Sequence, residues 1–442
     1  MFLNIEYNRF LMEFIGIQEA LEKKTGDVKI RGWIYRERKQ KDIVFLIVRD
    51  RSNIIQTVVK NDNVSEKEWE DANKLLIESS VELEGTIKED KRAVTGYEIQ
   101  VKRLNVIGFA DVFPITKDQS DEFLLDNRHL WLRSRKMTSI LKIRSTVFRT
   151  IHEYFRKCGF YEHQSPSFTP NACEGGSTLF KVDYFGKPMY LTQSWQLYAE
   201  AVIFSLEKIY CIAPSFRAER SKTSRHLTEY WHAETEAAWY NVNDMINLAE
   251  ELIKYIVKTV LEENKEDFKI LERDVEKLKV SLNKNFPRIT YDEALELLGK
   301  KKNMKIKWGK DLRTIEEEKL VELFDTPVFV TNYPKEIKAF YMKENEKNPK
   351  VVLCFDCLAP EGYGEIMGGS ERESDAKKIE QRLKQQGEKV KDYEWYLDLR
   401  KYGSVPHSGF GMGVERIISW ICKLDNIKDA IAFPRTMVRY TP

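Results

Sequence analysis

Apolar and polar residues change rhythm along this chain, and each rhythm predicts a different kind of element. Over 27–108 the apolar runs are short and alternating: VKIRGWIYRER, DIVFLIVRD, NIIQTVVK, VELEGTIKED and YEIQVKRLNVIG. β-branched residues are frequent and Gly or Asn marks the breaks, so five strands are expected, closing into a small all-β barrel. A helix over about 65–79 interrupts them. Residues 109–130 are punctuated by Pro and Asp and read as a linker. From 138 the period lengthens. Ile140, Ile143, Val147, Ile151, Tyr154 and Phe155 recur every three to four residues, with Gly159 at the C-terminal end, which predicts an amphipathic helix. A strand then runs into Pro166. Residues 189–236 and 350–373 read mainly as strands. Met245, Leu248, Leu252, Ile256 and Val260 mark another helix over 242–261. The Lys/Glu-rich stretch 262–320 reads as solvated, so a helical insertion is expected over about 242–320. A charged helix is expected over 374–400.

The resulting class is α+β. A barrel over 1–108, with a helical extension at its N-terminus, precedes a linker and a larger unit over 131–442 built on an antiparallel sheet. Five strands and one helix fit an OB-fold, which often binds single-stranded nucleic acid. Composition changes this picture little. The 442 residues are 42% apolar and 32% charged, with a net charge of +2. Any nucleic-acid surface must therefore be local. The six cysteines are scattered in apolar contexts and read as reduced core residues. Cys354 and Cys357 form a C-x-x-C without a second pair, too little for a zinc site. No apolar run approaches the roughly 18 residues of a membrane span. The first residues, MFLNIEYNRFLMEF, carry acids within the apolar stretch, unlike a signal peptide. A cytoplasmic protein with no membrane partner is expected.

Two distant segments carry the chemistry: FRAERSKTSRHLTEYWHAETE at 216–236 and PHSGFGMGVERIISW at 406–420. Residues two apart on a strand share a face. Arg217 therefore points with Glu219, and Tyr230 with His232, Glu234 and Glu236. Phe216, Ala218, Trp231 and Ala233 fall on the other, covered face. In the second segment Gly409, Gly411 and Gly413 stand at the mouth of a helix and permit close backbone approach. Arg416 falls in the first turn, where the helix dipole favours anions. Between them, Asp356 and Glu365 in VVLCFDCLAPEGYGEIMGGSERE are hard oxygen ligands suited to Mg²⁺. Two arginines and several carboxylates at element ends suggest a nucleoside triphosphate with Mg²⁺. No G-x-x-x-x-G-K-[ST] loop is present, which argues against a P-loop enzyme.

These segments resemble motifs 2 and 3 of the class II aminoacyl-tRNA synthetases, closest to the asparaginyl and aspartyl members of the aspartyl/asparaginyl/lysyl subgroup. The helix from 138 with Pro166 resembles motif 1, which implies a homodimer. The resemblance implies ATP as the activating substrate, with Arg217 on its α-phosphate and the amino-acid carboxylate. It places Glu219 at the adenine or the tRNA 3′ end, Tyr230 at the adenine, Arg225 and His226 near the β- and γ-phosphates, and Arg416 on the γ-phosphate beside Gly413. Asp356 and Glu365 would hold magnesium. Glu234 would accept the substrate ammonium group, Gly369 would let the substrate lie against backbone, and Arg372 would donate to its side-chain carbonyl. Segment 168–180, with Glu174, resembles the mobile loop that covers the bound amino acid.

In YLTQSWQLYAEAVIF, 190–204, Ser194 can cap a helix on which Gln196 and Glu200 share a face. The aspartyl enzymes have a lysine at the position of Ala199; the small residue followed by Glu200 resembles the asparaginyl pattern. An amide NH₂ needs an acceptor, whereas a substrate carboxylate would meet like charge at Glu200. L-asparagine and tRNA(Asn) are therefore the expected substrates. In the barrel, Phe45 and Gln56 match the anticodon-reading pair of these enzymes. A basic cluster of Lys29, Arg31, Arg36, Arg38, Lys39 and Lys41 lies nearby to follow phosphates. Three alternatives stay open: an aspartyl-tRNA synthetase that also charges tRNA(Asn), a synthetase-like aspartate–ammonia ligase, and a non-catalytic RNA-binding relative.

Overall fold

The computed structural model describes residues 14–173, 178–220 and 223–441. The expected helical extension lies partly outside them, over 1–13, as do Glu174 and its neighbours to Ser177. The chain divides into two compact units, at Leu124 and Leu125. Among the described residues, no helix is long and apolar enough to cross a membrane.

In the first unit, α1 (Ile17–Lys23) precedes β1 (Gly26–Lys39), β2 (Ile43–Arg49), β3 (Ile54–Lys60), α2 (Glu66–Lys74), β4 (Ser80–Glu89) and β5 (Tyr97–Gly108). The strands close into a barrel in the order β1-β2-β3-β5-β4. Alternation sets its two faces. Val44, Leu46 and Val48 of β2 are buried in the interior with Ile30, Leu83 and Val101, while Phe45 and Ile47 face out. α2 starts on a reciprocal cap between Ser65 and Glu68. It stops at Lys74, short of the expected 79.

Helix α3 (Asp121–Asp126) spans the division, and the second unit continues with α4 (Arg128–Trp131) and α5 (Arg135–Lys157). Residues 125–130 of the expected linker belong to it. Arg128 is 1% exposed, its guanidinium donating to the Lys428, Ile431 and Ala432 carbonyls and to Asp429. Next come β6 (Tyr161–Glu162), β7 (Phe168–Thr169), β8 (Lys181–Tyr184), β9 (Lys187–Leu191), α6 (Gln196–Leu206), β10 (Lys208–Phe216) and β11 (Glu229–Ala238). The segment 242–320 carries α7 (Val242–Glu263), α8 (Lys265–Ile270), α9 (Glu276–Asn283), β12 (Arg288–Thr290), α10 (Tyr291–Lys302) and α11 (Thr314–Val321). The chain ends with β13 (Val328–Thr331), β14 (Glu344–Asn345), β15 (Asn348–Val352), β16 (Cys354–Ala359), β17 (Gly364–Glu371), α12 (Ala376–Gln385), α13 (Glu394–Lys401), β18 (His407–Gly413) and α14 (Val414–Cys422). The helix expected over 374–400 is two helices, because Gly387 turns the chain at a φ of 77°.

An eight-stranded sheet runs β12-β13-β16-β17-β18-β11-β10-β6. Its pairs are antiparallel except at the two edges, where β12–β13 and β10–β6 are parallel. One face packs on α5, α7 and α14 through Phe329, Phe355, Met367, Phe410 and Met412. The apolar stripe of α5 predicted from its spacing is spent in this core. Among the described residues, the opposite face is covered only at its ends. α6 covers Ile209 and Cys211 at one, and α10 and α11 cover Val328, Val330 and Leu358 at the other.

The expected solvated insertion is therefore a correction. Its charges outline surface stripes, but Phe268, Leu278, Phe286, Tyr291, Leu298 and Leu320 are buried. It supplies a sheet strand and one wall of the open middle.

Candidate active site and nucleic-acid face

The uncovered middle of the sheet is a cleft of about 660 Å³. Its floor follows from β18, where the glycine repeat lies in the strand and not in the helix mouth. Phe410 and Met412 point into the core, so Gly409, Gly411 and Gly413 share the cleft face. A Cβ on Gly411 would stand 2.3 Å from the His232 ring, and one on Gly409 2.7 Å from Arg372 and closer still to Glu236. A Cβ on Gly413 would meet the stem of Arg416 at 3.3 Å. The repeat thus clears space for three groups of polar side chains, which corrects the expectation of backbone approach to ligand. A Cβ on Gly369 would enter the Phe355 ring at 2.5 Å, on the core side, while the residue itself lines the cleft.

Register places the chemistry on this floor. Glu234 pairs with Gly411 and Glu236 with Gly409 across β11–β18. Arg217 follows β10, with its amide on Thr228. Its guanidinium lies 5.6 Å from the Tyr230 ring centroid and 3.9 Å from Glu219. His226 faces Glu219 at 3.4 Å, and burial lowers its pKa, with Glu219 opposing. Arg225 reaches Glu318 at 2.9 Å and the Gly362 carbonyl. Arg217, Arg225, His226, Glu234, Asp356, Glu365, Arg372 and Arg416 line the cleft with Ser194, Gln196 and Gly369; Glu219 and Tyr230 stand beside Arg217, and Gly413 beside Arg416.

At the end of the cleft beside α11, Arg416 donates to Glu365 Oε2 at 2.8 Å, and Lys338 donates to Asp356 at 2.8 Å. Glu317 of α11 accepts the Glu365 amide. Burial opposes ionisation of Glu365, yet Arg416 and Lys338 hold it at about 2. Burial pushes Asp356 up to about 6 despite Lys338. Burial, with the Glu365 carboxylate, pushes Glu317 up to about 7. Asp311 is also raised by burial. Four acids thus share a site whose cations satisfy only some of them. This oxygen-rich donor set suits a hard divalent cation.

At the other end the charges are matched. Arg372 donates to both oxygens of Glu236, at 3.1 and 2.9 Å, and to Ser370 at 2.6 Å. Burial works against this cation, but Glu236 raises its pKa above the usual arginine range. Glu234 accepts from the Trp195 amide at 2.9 Å and from Ser194. Ser194 also accepts the Gln196 amide, but the helix is capped at Trp195, so Ser194 is not the expected cap.

Glu200 requires a correction. It is fully buried and does not reach the cleft wall. Its oxygens take Gln196 Nε2 at 2.9 Å, the Tyr396 hydroxyl at 2.7 Å, His407 at 3.0 Å and Arg400. Burial works against its charge, but Arg400 keeps it well below the usual carboxylate range. Helical spacing put Glu200 beside Gln196; only the fold brings Arg400 and His407 to it. Glu200, Glu236 and His407 are close enough to suggest a metal cluster, but Arg400 and Arg372 already neutralise the carboxylates. Glu415 is structural too, tying the Trp231 amide to Arg144.

Sequence reasoning missed Lys338, Asp311 and Glu317. Glu317 sat in a Glu-rich run that resembled surface, and nothing local marks Lys338. In the barrel, a hollow of about 730 Å³ is lined by Arg36, Arg38, Phe45, Gln56, Lys60, Lys88, Arg92, Glu98 and Gln100, among others. Arg38 stacks over Phe45 at 4.5 Å. The expected basic cluster is divided: Lys29 faces Glu84 at 3.6 Å and Lys39 donates to the Leu75 carbonyl, while Arg36 and Arg38 remain on the hollow.

Comparison with known proteins agrees with both units. Residues 28–107 match the OB-fold nucleic acid binding domain, and residues 120–437 match the tRNA synthetases class II (D, K and N). An asparagine–tRNA ligase of Thermoplasma acidophilum is 52% identical over 415 residues, 94% of this chain and 96% of that protein. Asparaginyl-tRNA synthetase from Pyrococcus horikoshii, solved with asparaginyl-adenylate, is 48% identical and superposes with a TM-score of 0.94 over 98% of this chain and all of that one. The Entamoeba histolytica asparaginyl enzyme, also solved with asparaginyl-adenylate, is 31% identical, with a TM-score of 0.84 over 97% of this chain and 99% of that one. With an OB-fold unit followed by a sheet whose open face gathers Arg217, Glu365 and Arg416, the chain belongs to the class II tRNA synthetases of the D, K and N group.

Proposed function

We propose that the chain activates L-asparagine with ATP and transfers it to tRNA(Asn) in the cytoplasm. The observation that carries this reading is the near full-length likeness to an asparaginyl-tRNA synthetase solved with asparaginyl-adenylate. The relatives compared are named as asparagine–tRNA ligases, which favours asparagine over the aspartyl and amide-ligase readings.

In the first step an asparagine carboxylate oxygen attacks the ATP α-phosphorus and pyrophosphate leaves. Arg217 neutralises the α-phosphate and orients the attacking carboxylate. Arg416 exchanges Glu365 for the γ-phosphate, and Arg225 and His226 close on the β- and γ-phosphates. Glu219 and Tyr230 flank the adenine. Asp356 and Glu365 would hold Mg²⁺, which would shield the phosphate charges. Glu234 accepts the substrate ammonium, and Glu174 joins from the covering loop. Gln196, whose Nε2 is taken by Glu200, offers its carbonyl oxygen. Three of the five Arg372 N–H groups are engaged, which leaves donors for the side-chain carbonyl of asparagine. In the second step a terminal ribose hydroxyl of tRNA attacks the acyl carbon and AMP leaves. Positioning and charge neutralisation carry the rate, with no side-chain nucleophile.

The OB-fold unit holds the anticodon: Phe45 stacks a base, Gln56 reads an edge, and Arg38 binds the backbone. The working form is a homodimer, on the resemblance of α5 and β6 to motif 1; sedimentation at twice the chain mass tests it. The function itself is tested by charging a tRNA(Asn) transcript with labelled asparagine. ATP-dependent acid-precipitable label is expected; its absence with active, folded protein overturns the reading.

A further inference from the structure

One short segment between β13 and β14 reaches both ends of the cleft. Ile337, Lys338, Ala339, Tyr341 and Met342 line it. Lys338 donates to Asp356 at 2.8 Å, and its ammonium lies 4.0 Å from the Tyr333 ring centroid. Three residues on, the Tyr341 ring centroid lies 5.2 Å from the guanidinium of Arg372, the cation that grips Glu236. The position of this main chain therefore sets a side chain beside a cation–carboxylate pair at each end.

The segment has little regular structure to hold it. Bridges at Pro334–Val351 and Met342–Arg372 tie its ends, and one 3₁₀ turn at Lys335–Ile337 lies between them. Main-chain carbonyls outside helices and ladders need donors from elsewhere, and α12 provides them. Ile379, Arg382, Leu383 and Gln386 recur at helical spacing and so share a face. Ile379 and Leu383 are buried in one cluster with Phe340 and Tyr341. Arg382 is 4% exposed. Its Nη1 donates to the Met342 carbonyl at 2.8 Å, and its Nη2 to the carbonyls of Lys335 and Lys338 at 3.0 and 2.9 Å. Gln386 Nε2 adds a donor to the Lys338 carbonyl at 3.1 Å. A guanidinium is a rigid planar fork, so three carbonyls gathered on one are fixed relative to each other. Burial lowers the pKa of this cation, so holding it there works against desolvation.

We propose that Arg382 is a positioning residue for amino-acid activation: by clamping the main chain of 335–342 it sets Lys338 and Tyr341 together, so that binding of asparagine and of ATP both depend on one side chain of α12. This rests on the activation reaction proposed above. Arg382 acts only through the segment it holds. A displacement of about 1 Å in that segment moves groups at both ends, and shifts of this size cost up to roughly 100-fold in rate.

The test is ATP–pyrophosphate exchange by the full chain as wild type, R382Q and R382K, with active sites counted from the adenylate formed in the first turnover. KM for asparagine and KM for ATP are measured separately. R382Q keeps two donors without the charge, and R382K keeps the charge without the fork. Both KM values should rise by roughly tenfold or more in R382Q and by a smaller factor in R382K, with kcat per active site changing less. KM does not depend on how much of a preparation is folded, so partial unfolding does not imitate this result. If R382Q yields no folded protein, R382K carries the same comparison. Unchanged KM values with a lowered count of active sites overturn the proposal, because Arg382 then serves stability alone. A rise for one substrate only overturns the joint positioning of the two ends. Absence of asparagine-dependent exchange in the wild type overturns the reaction on which the role rests.

Discussion

At the end of the cleft proposed for the amino acid, Arg372 grips both oxygens of Glu236, and the two side chains are 4% and 1% exposed. At the end proposed for the phosphates, Arg416 meets Glu365 with the side chains 31% and 36% exposed. The first pair sits among matched charges: Glu200 is met by Arg400 and His407, and Glu234 by Ser194 and the Trp195 amide. The second sits among several acids whose pKa values are pushed up, while at the first burial raises Glu236 despite Arg372. One end is built before substrate arrives, and under the proposed function it discriminates a small side chain by fixed donors and acceptors. The other is left for a polyanion and its cation to complete. A cleft that must select asparagine yet release pyrophosphate needs both behaviours.

The largest effect is expected where the built end is broken. Arg372→Ala leaves Glu236 buried without its cation and should destabilise the fold by about 3–5 kcal/mol. Chemical denaturation measures this, and a loss below about 1 kcal/mol would deny that this end is prepaired. Replacing Arg372 and Glu236 together by methionine should recover most of the stability but not asparagine activation.

Arg416→Ala should invert the pattern. Its partner is partly solvated, so stability should change by no more than about 1 kcal/mol. Adenylate formation should fall by roughly 10²–10³-fold, the loss of one preorganised contact to transition-state charge. Arg217→Ala should behave alike. Near-normal pyrophosphate exchange in either variant would break the assignment of the phosphate end.

A smaller effect concerns acidity. Glu317 is raised to about 7 from an ordinary 4.5. Between these values the folded state binds the extra proton, so this group's contribution to stability falls as pH rises through the window. Without nucleotide or metal, Glu317→Gln should match the wild type near pH 4 and exceed it by on the order of 2 kcal/mol at pH 8. Melting curves across pH would reveal this; parallel curves would mean the acids are not in conflict.

The contrast also marks what a sequence can tell. Strand alternation placed Arg217, Tyr230, His232, Glu234 and Glu236 on one face, because that rule needs only local geometry. The barrel strands were legible for the same reason. What could not be read is which charges are already spent. Glu200 was expected at the substrate and is held by Arg400 and His407, some two hundred residues away in sequence. Glu317 and Lys338 enter the site through packing of segments whose local pattern suggests surface. The glycines of β18 read as space for a ligand, and the register gives that space to His232, Glu236 and Arg416.

The most direct test of the account is ATP–pyrophosphate exchange by the purified chain, without tRNA, comparing L-asparagine with L-aspartate. The account predicts exchange with asparagine and little with aspartate, because one site supplies acceptors and donors in the order an amide requires. Exchange driven equally well or better by aspartate would contradict it.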